Sequence, residues 1–255
     1  MPHHAFIPAA LVLALALAGP AVAGGSPSDA SLEPAADSLR LDATPEWVLR
    51  RNEQGIRSYE RKQVGSPLLS FKAEGVIDAP IDLVLSVLLD AERAGEWISH
   101  LSESAVVRWI EAPTDFVQRS RFDIPWPVKD RVFVSRIALE VNPETFAAVI
   151  DYLPADDGVA QLHASAVGSR FVLRPIDGGR RTDFTGIGVA DPKGAIPAWI
   201  VNWAGGSWPH ETIEALREQV TKSDVAVTPE VARLYEAFTL EPRLTQLTPE
   251  PHPPE

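Results

Sequence analysis

The side chains able to do acid–base, nucleophilic or metal chemistry in this sequence are few and widely spaced. His100, His163 and His210 are the histidines of its central region, and none stands in a His-Glu-x-x-His or His-x-His spacing that would put two imidazoles on one ion. His210 directly precedes Glu211 after Pro209, which reads as the start of a helical segment with an acid at the positive end of its dipole. Ser207 lies in Ala204-Gly205-Gly206-Ser207-Trp208, not in the Gly-x-Ser-x-Gly elbow that exposes a hydrolase nucleophile. Asp156-Asp157-Gly158 and Asp177-Gly178-Gly179 read as turns in which Asp and Gly serve backbone geometry. No glycine-rich phosphate-binding pattern follows a strand-like run. No metal, no cofactor and no catalytic set is therefore expected; were acid–base catalysis present, Tyr152, His163 and Arg131 would be the groups to supply it.

Composition narrows the field further. With no cysteine in 255 residues, disulfides, thiolate metal sites, iron–sulfur clusters and a cysteine nucleophile are excluded. The formal charge of -12, from 23 Lys plus Arg against 35 Asp plus Glu, has the wrong sign for bulk attraction to nucleic acid, which is not expected as a partner.

The elements that must position any site occupy residues 44–221, about the size of one domain. Short alternating runs separated by Pro, Gly, Asn or Asp predict about nine strands: Trp47 to Gln54, Ile56 to Val64, Leu68 to Ile77, Ala105 to Glu111, Phe116 to Ile124, Arg131 to Glu140, Phe146 to Leu153, Val167 to Pro175 and Thr182 to Ala190. A helix opens at Pro80 with Leu83, Val84, Val87 and Leu88 on one face, and a second turn covers Ala91 to Trp97. A closing helix begins at Pro197, with a bend or break at Gly205-Gly206 and Pro209. The class is α+β.

Alternation predicts which strand residues face inward. Phe116, Gln118, Ser120, Phe122 and Ile124 form the buried face of one strand, with Val117, Arg119, Arg121 and Asp123 wet. Phe133, Ser135, Ile137 and Leu139 share a face of the next, opposed by Val132, Val134, Arg136, Ala138 and Glu140. A strand-rich sheet curling around the closing helix would enclose a mostly apolar volume with a few uncharged polar groups, which suits a pocket for a hydrophobic ligand; a filled core is the alternative.

The flanks read differently. Ala5 to Ala18 is an uncharged apolar run followed by Ala21-Val22-Ala23, so residues 1–23 are expected to be a secretory signal peptide, shorter than the roughly 20 apolar residues of a membrane span. Residues 24–43 are expected to be a flexible leader, and residues 222–255 a short helix with a Pro-rich tail. In that helix, from Pro229 to Phe238, Val231, Leu234, Tyr235 and Phe238 share one face that would dock on the domain or meet a partner.

Three segments, Phe71-Lys72-Ala73-Glu74-Gly75, Pro125-Trp126-Pro127-Val128-Lys129-Asp130-Arg131-Val132-Phe133-Val134 and Ile196-Pro197-Ala198-Trp199-Ile200-Val201-Asn202, resemble in order and spacing the START family of lipid-transfer domains over residues 44–221. The resemblance implies a helix-grip fold, a curved antiparallel sheet wrapped around a long C-terminal helix that encloses a hydrophobic cavity. It also implies a non-catalytic carrier of one lipid or other hydrophobic small molecule. Phe116, Phe122, Phe133, Ile137, Phe146 and Phe171 would line the walls, Gln118 and Ser135 would orient the ligand, and Trp199 and Trp203 would form a lid. The loop Asp191 to Ile196, with Gly194 between Pro192 and Pro197, would act as its hinge. Two departures bear on the ligand: Val132 stands where the family usually has Asp, and no buried acid–base pair is evident. Trp109, Trp126, Tyr152 and Trp199 are the aromatics available for a head-group cage. The expected protein is an exported, periplasmic or secreted monomer that touches a membrane transiently. An aromatase/cyclase-like enzyme on the same fold is the alternative.

Overall fold

The computed structural model describes residues 45–123, 130–157, 166–191 and 198–236. The leading apolar run, the leader, Trp126, His163, the hinge residues Pro192, Gly194 and Pro197, Phe238 and the Pro-rich tail lie outside the described residues, as do the side chains of Arg131 and Trp203.

Nine strands, β1 (Val48–Glu53), β2 (Ile56–Lys62), β3 (Leu69–Ile77), β4 (Leu101–Glu111), β5 (Asp115–Phe122), β6 (Arg131–Val141), β7 (Ala148–Pro154), β8 (Ala166–Ile176) and β9 (Arg181–Asp191), form one sheet in the order β1-β2-β3-β9-β8-β7-β6-β5-β4. Each neighbouring pair is antiparallel. Tight left-handed turns build the hairpins: Gln54 and Gly55 have φ of 53° and 71° between β1 and β2, a two-residue connection whose twist matches that of its strands. The expected turn at Asp177-Gly178-Gly179 joins β8 to β9, with φ of 52°, 69° and 83°.

After β3 the chain leaves the sheet through α1 (Ile81–Leu89) and a 3-10 turn (Ala94–Glu96), then enters β4 at the far edge. α1 buries Val84, Leu85, Val87 and Leu88 in the core, so its apolar face is wider than the sequence pattern alone requires. The expected closing helix is α2 (Ala198–Gly205) followed by α3 (Trp208–Gln219), broken at Gly205-Gly206 with Pro209 in the first turn of α3.

Cross-strand register sets residues of six strands side by side on the concave face. One row runs Ile56, Gly75, Phe184, Leu173, Ala148, Val141, and the next Ser58, Ala73, Gly186, Phe171, Ile150, Leu139. α3 lies on β2, β3 and β9, and Ile213 and Leu216 are fully buried there. Glycine makes this approach possible: a Cβ at Gly188 would overlap the Trp208 ring.

Beyond α3 the chain folds back as an integral part of the core. Arg93 donates to Asp224, the Ser86 hydroxyl accepts from the Thr228 amide at 3.0 Å, and Val231 on α4 (229–236) is 1% exposed. Tyr235 stacks on Phe146 at 6.1 Å and donates to its carbonyl.

Several expectations are corrected. β4 starts at Leu101, four residues before the predicted Ala105, because the bulges that shift its pairing accommodate the polar Ser102-Glu103-Ser104 stretch. Phe146 is not in a strand but in the β6–β7 connection at φ 57°. Val117, predicted wet, is buried, and so is Val134 on the outward face of β6. Val117 stands between Arg108 and Arg136 in the register, and the same holds for Ile187 between Lys72 and Arg170, so aliphatic stems of long charged side chains flank these outer apolar residues.

His210 stands in the first turn of α3 beside Glu211, as expected, and is in addition part of the core. It is fully buried, with Nδ1 3.4 Å from the Ser58 hydroxyl and Nε2 3.6 Å from the Glu214 carboxylate, at the seam where α3 meets β2. Burial, reinforced by Arg51 and Arg217, holds its imidazole below the ordinary value of 6.5 against the pull of Glu214 and Glu53. A lowered folded value means that the unfolded chain binds the proton first, so the contribution is complete above pH 6.5 and is lost as pH falls through the folded value. Glu211, raised by burial, acts in the opposite sense from its ordinary 4.5 upward. Thermal melting should therefore drop as pH falls below 6.5, and His210→Gln should flatten that drop; an unchanged profile in the variant would remove His210 as its cause.

Candidate functional site

The concave face has two unlike halves. Over β3, β9, β8 and β7, Ala73, Phe184, Leu173 and Ile150 are completely buried against Leu85 and Ile213. Toward the ends of β4, β5 and β6 that meet each other past this core, the inward residues Ser104, Gln118, Ser120, Phe122, Phe133 and Ser135 are only half-buried. Side chains that point to the core side of a sheet and yet stay accessible mark space that packing has not filled.

Register assembles this open half. Gln118 on β5 lies between Val106 on β4 and Ser135 on β6, and Ser120 lies between Ser104 and Phe133. The Gln118 Nε2 donates to the Ser104 hydroxyl at 2.9 Å and to the Ser120 hydroxyl at 3.1 Å. Those two hydroxyls are 3.5 Å apart. Phe122 and Phe133 meet edge to face with centroids 5.3 Å apart, forming an aromatic wall beside the polar cluster.

Not all predicted site residues gather here. Phe116 and Ile137 occupy the adjacent row and are 1% exposed, with the Phe116 ring 4.9 Å from that of Trp109. Phe171 belongs to the filled half, in contact with the rings of Tyr152, Phe184 and Trp208. Phe146 lies at the opposite end of the fold, beneath Tyr235. Trp199 stands 71% exposed on α2 and, of the four aromatics nominated for a cage, shares no ring contact with Trp109 or Tyr152. Trp208, by contrast, turns inward over Gly188.

Ion pairs line the other side of the sheet. Arg136 with Asp115, Arg170 with Asp151 and Arg119 with Asp157 pair on the convex face, and Arg136 holds the Asp115 carboxyl below its ordinary value. Among the described residues no three His, Asp or Glu side chains are grouped to hold a metal, and no helix is long and apolar enough to cross a membrane.

Sequence reasoning missed Ser104 and left the direction of Trp208 open, as either an exposed patch or a lid with Trp199 and Trp203. Ser104 alternates correctly with Val106, but its polar neighbours mask the start of the strand; Trp208 carries no signal of direction until the break at Gly205 fixes the phase of α3.

A nine-stranded antiparallel sheet gripping a broken C-terminal helix pair is the helix-grip architecture. The model of the START domain matches residues 37–223, and the chain belongs to the START family. A structure described as a STAR-related lipid transfer protein from Xanthomonas axonopodis is 26% identical, with a TM-score of 0.62 over 69% of this chain and 99% of that one. Human STARD10 shares the fold at 17% identity, with a TM-score of 0.63 over 89% of this chain and 91% of that one. An uncharacterised protein of Pseudomonas aeruginosa is 25% identical over 182 residues, covering 69% of this chain and 88% of its own length.

Tyr152, the one nominated acid–base group whose side chain the structure describes, donates its hydroxyl to the Leu88 carbonyl at 3.2 Å. Burial pushes its phenol well above its ordinary value of 10, so it stays protonated at neutral pH. Tyr152→Phe should cost about 0.5–1.5 kcal/mol of stability through that one bond and the acceptor it leaves, measured by urea unfolding, and should leave ligand retention unchanged; loss of ligand at unaltered stability would give Tyr152 a direct role.

Proposed function

We propose that this protein carries one hydrophobic ligand, with its polar end at the Ser104–Gln118–Ser120 cluster and its apolar body against Phe122 and Phe133, and performs no covalent chemistry. The observation that carries this reading is the contrast between a solid core on one half of the concave face and accessible, uncharged inward residues on the other. Family membership supports it, as does the name of the Xanthomonas relative. Burying about 400 Å² of ligand at roughly 25 cal/mol per Å² supplies on the order of 10 kcal/mol before binding costs, enough for a carrier without covalent attachment. The occupied Tyr152 hydroxyl favours a carrier over an enzyme.

The protein would work outside the cytoplasm after removal of residues 1–23, in the periplasm or the medium, moving as a monomer. Native mass spectrometry of protein from its own secretory compartment should show a chain beginning at Gly24 with one lipid attached. A chain that stays empty after incubation with a broad lipid extract would overturn the carrier reading; one that retains Met1 would overturn export by cleavage.

Loading requires contact with a membrane, and one face is suited to it. Asn202 on α2 accepts from the Leu69 amide at 2.8 Å and donates to the Pro67 carbonyl at 3.1 Å, fastening α2 to the β2–β3 turn. That turn and helix expose Val64 at 85% and Trp199 at 71%. A chain of charge -12 gains nothing from an anionic surface, so the contact would be apolar and insensitive to salt. Trp199→Ser with Val64→Ser should lower co-sedimentation with neutral phosphatidylcholine vesicles several-fold with the fold intact, and unchanged co-sedimentation would place the contact elsewhere.

A further inference from the structure

The hydrogen bonds around Gln118 specify what kind of ligand terminus fits. Both amide protons of its Nε2 are engaged, by Ser104 at 2.9 Å and Ser120 at 3.1 Å. A primary amide has two donors and one carbonyl oxygen; in this orientation both donors are used inside the protein and only the oxygen is left. Among the described residues none donates to that oxygen, and it is not sealed in the core. Gln118 therefore presents an oriented, accessible acceptor to the open half of the concave face.

Directly across from it on β6 stands Ser135, whose hydroxyl likewise makes no bond to any described residue. Residues directly opposed in an antiparallel pair have their Cβ atoms about 4.5–5.5 Å apart, so a single small group can meet both. The Gln118 oxygen only accepts; the Ser135 hydroxyl is free to donate. A hydroxyl is the complementary group, giving its proton to Gln118 and taking one from Ser135. A carbonyl or ether satisfies Ser135 alone and leaves the Gln118 oxygen desolvated and unpaired. A phosphate or carboxylate brings negative charge against that oxygen, and none of the described side chains on this patch, Ser104, Val106, Gln118, Ser120, Phe122, Phe133 and Ser135, is a cation.

Resting on the carrier reading above, we infer that the ligand is an amphiphile ending in an uncharged hydroxyl that donates to the Gln118 carbonyl oxygen, an alcohol rather than a ketone, ester or phosphorylated lipid. Arg131 stands across from Phe122 at the far end of this face, so the anionic class is tested directly.

Three probes with one chain separate the possibilities: hexadecanol, its methyl ether and hexadecyl phosphate, each competed against a fluorescent fatty alcohol bound to the full-length mature protein. Hexadecanol should compete roughly tenfold better than the ether, the scale of one unpaired buried acceptor, and better than the phosphate. In Gln118→Leu the preference for alcohol over ether should shrink to near unity while binding of the ether is kept, which distinguishes lost recognition from lost folding. Equal binding of alcohol and ether, or preference for the ether or the phosphate, overturns the hydroxyl assignment and leaves the carrier intact. Failure of all three probes and of the fluorescent alcohol to bind overturns the carrier reading itself.

Discussion

The approach of the C-terminal helix pair to the sheet governs this fold. A nine-stranded sheet curved enough to have a concave side must have that side covered, and α3 covers it only where side chains permit contact between backbones. Gly188 beneath Trp208, and Gly205 against the Phe71 ring, remove the atoms that would hold the helices off. Arg217 then ties α3 down by donating to the Val76 and Gln54 carbonyls. Because the helix seats on the β2, β3 and β9 side, the opposite side of the grip keeps inward residues that nothing in the core contacts fully, and the polar cluster owes its accessibility to where the helix was drawn in.

The two faces of the sheet divide the electrostatic labour. On the convex side, Arg and Asp from adjacent strands pair in sequence along the sheet, and their stems shelter Val117 and Ile187. On the concave side the hydrogen-bonding groups described in the open half, Ser104, Gln118, Ser120 and Ser135, are neutral. Each exposed pair is worth little to stability, but together they allow apolar residues on both faces of a strand without leaving a hydrophobic outer surface.

Much of this organisation was legible from local pattern. Period-two alternation located nine strands and assigned Phe116, Gln118, Ser120 and Phe122 to one face, and Gly205-Gly206 with Pro209 marked the helix break. What escaped was anything decided by long-range contact. Val117 is buried through arginines brought alongside by pairing, and His210 is buried because α3 lands on Ser58, 152 positions earlier in the chain. The engagement of Gln118 with Ser104 depends on a strand whose first residues are too polar to look like one. Phe146 lost its place in β7 to a left-handed turn that presents it to Tyr235.

The last described helix lies beyond the end of the family match at residue 223, yet Val231 sits in the same core as α1 and the Thr228 amide is capped from Ser86. A chain emerges from the ribosome N-terminus first, so the central sheet can form all its hairpins while one wall of its core still lacks a plug. Until the segment beyond residue 223 is present, Ser86 lacks the Thr228 amide it accepts from and the core lacks Val231. The segment beyond residue 223 thus reaches its place in the core only after every strand of the sheet has been synthesised.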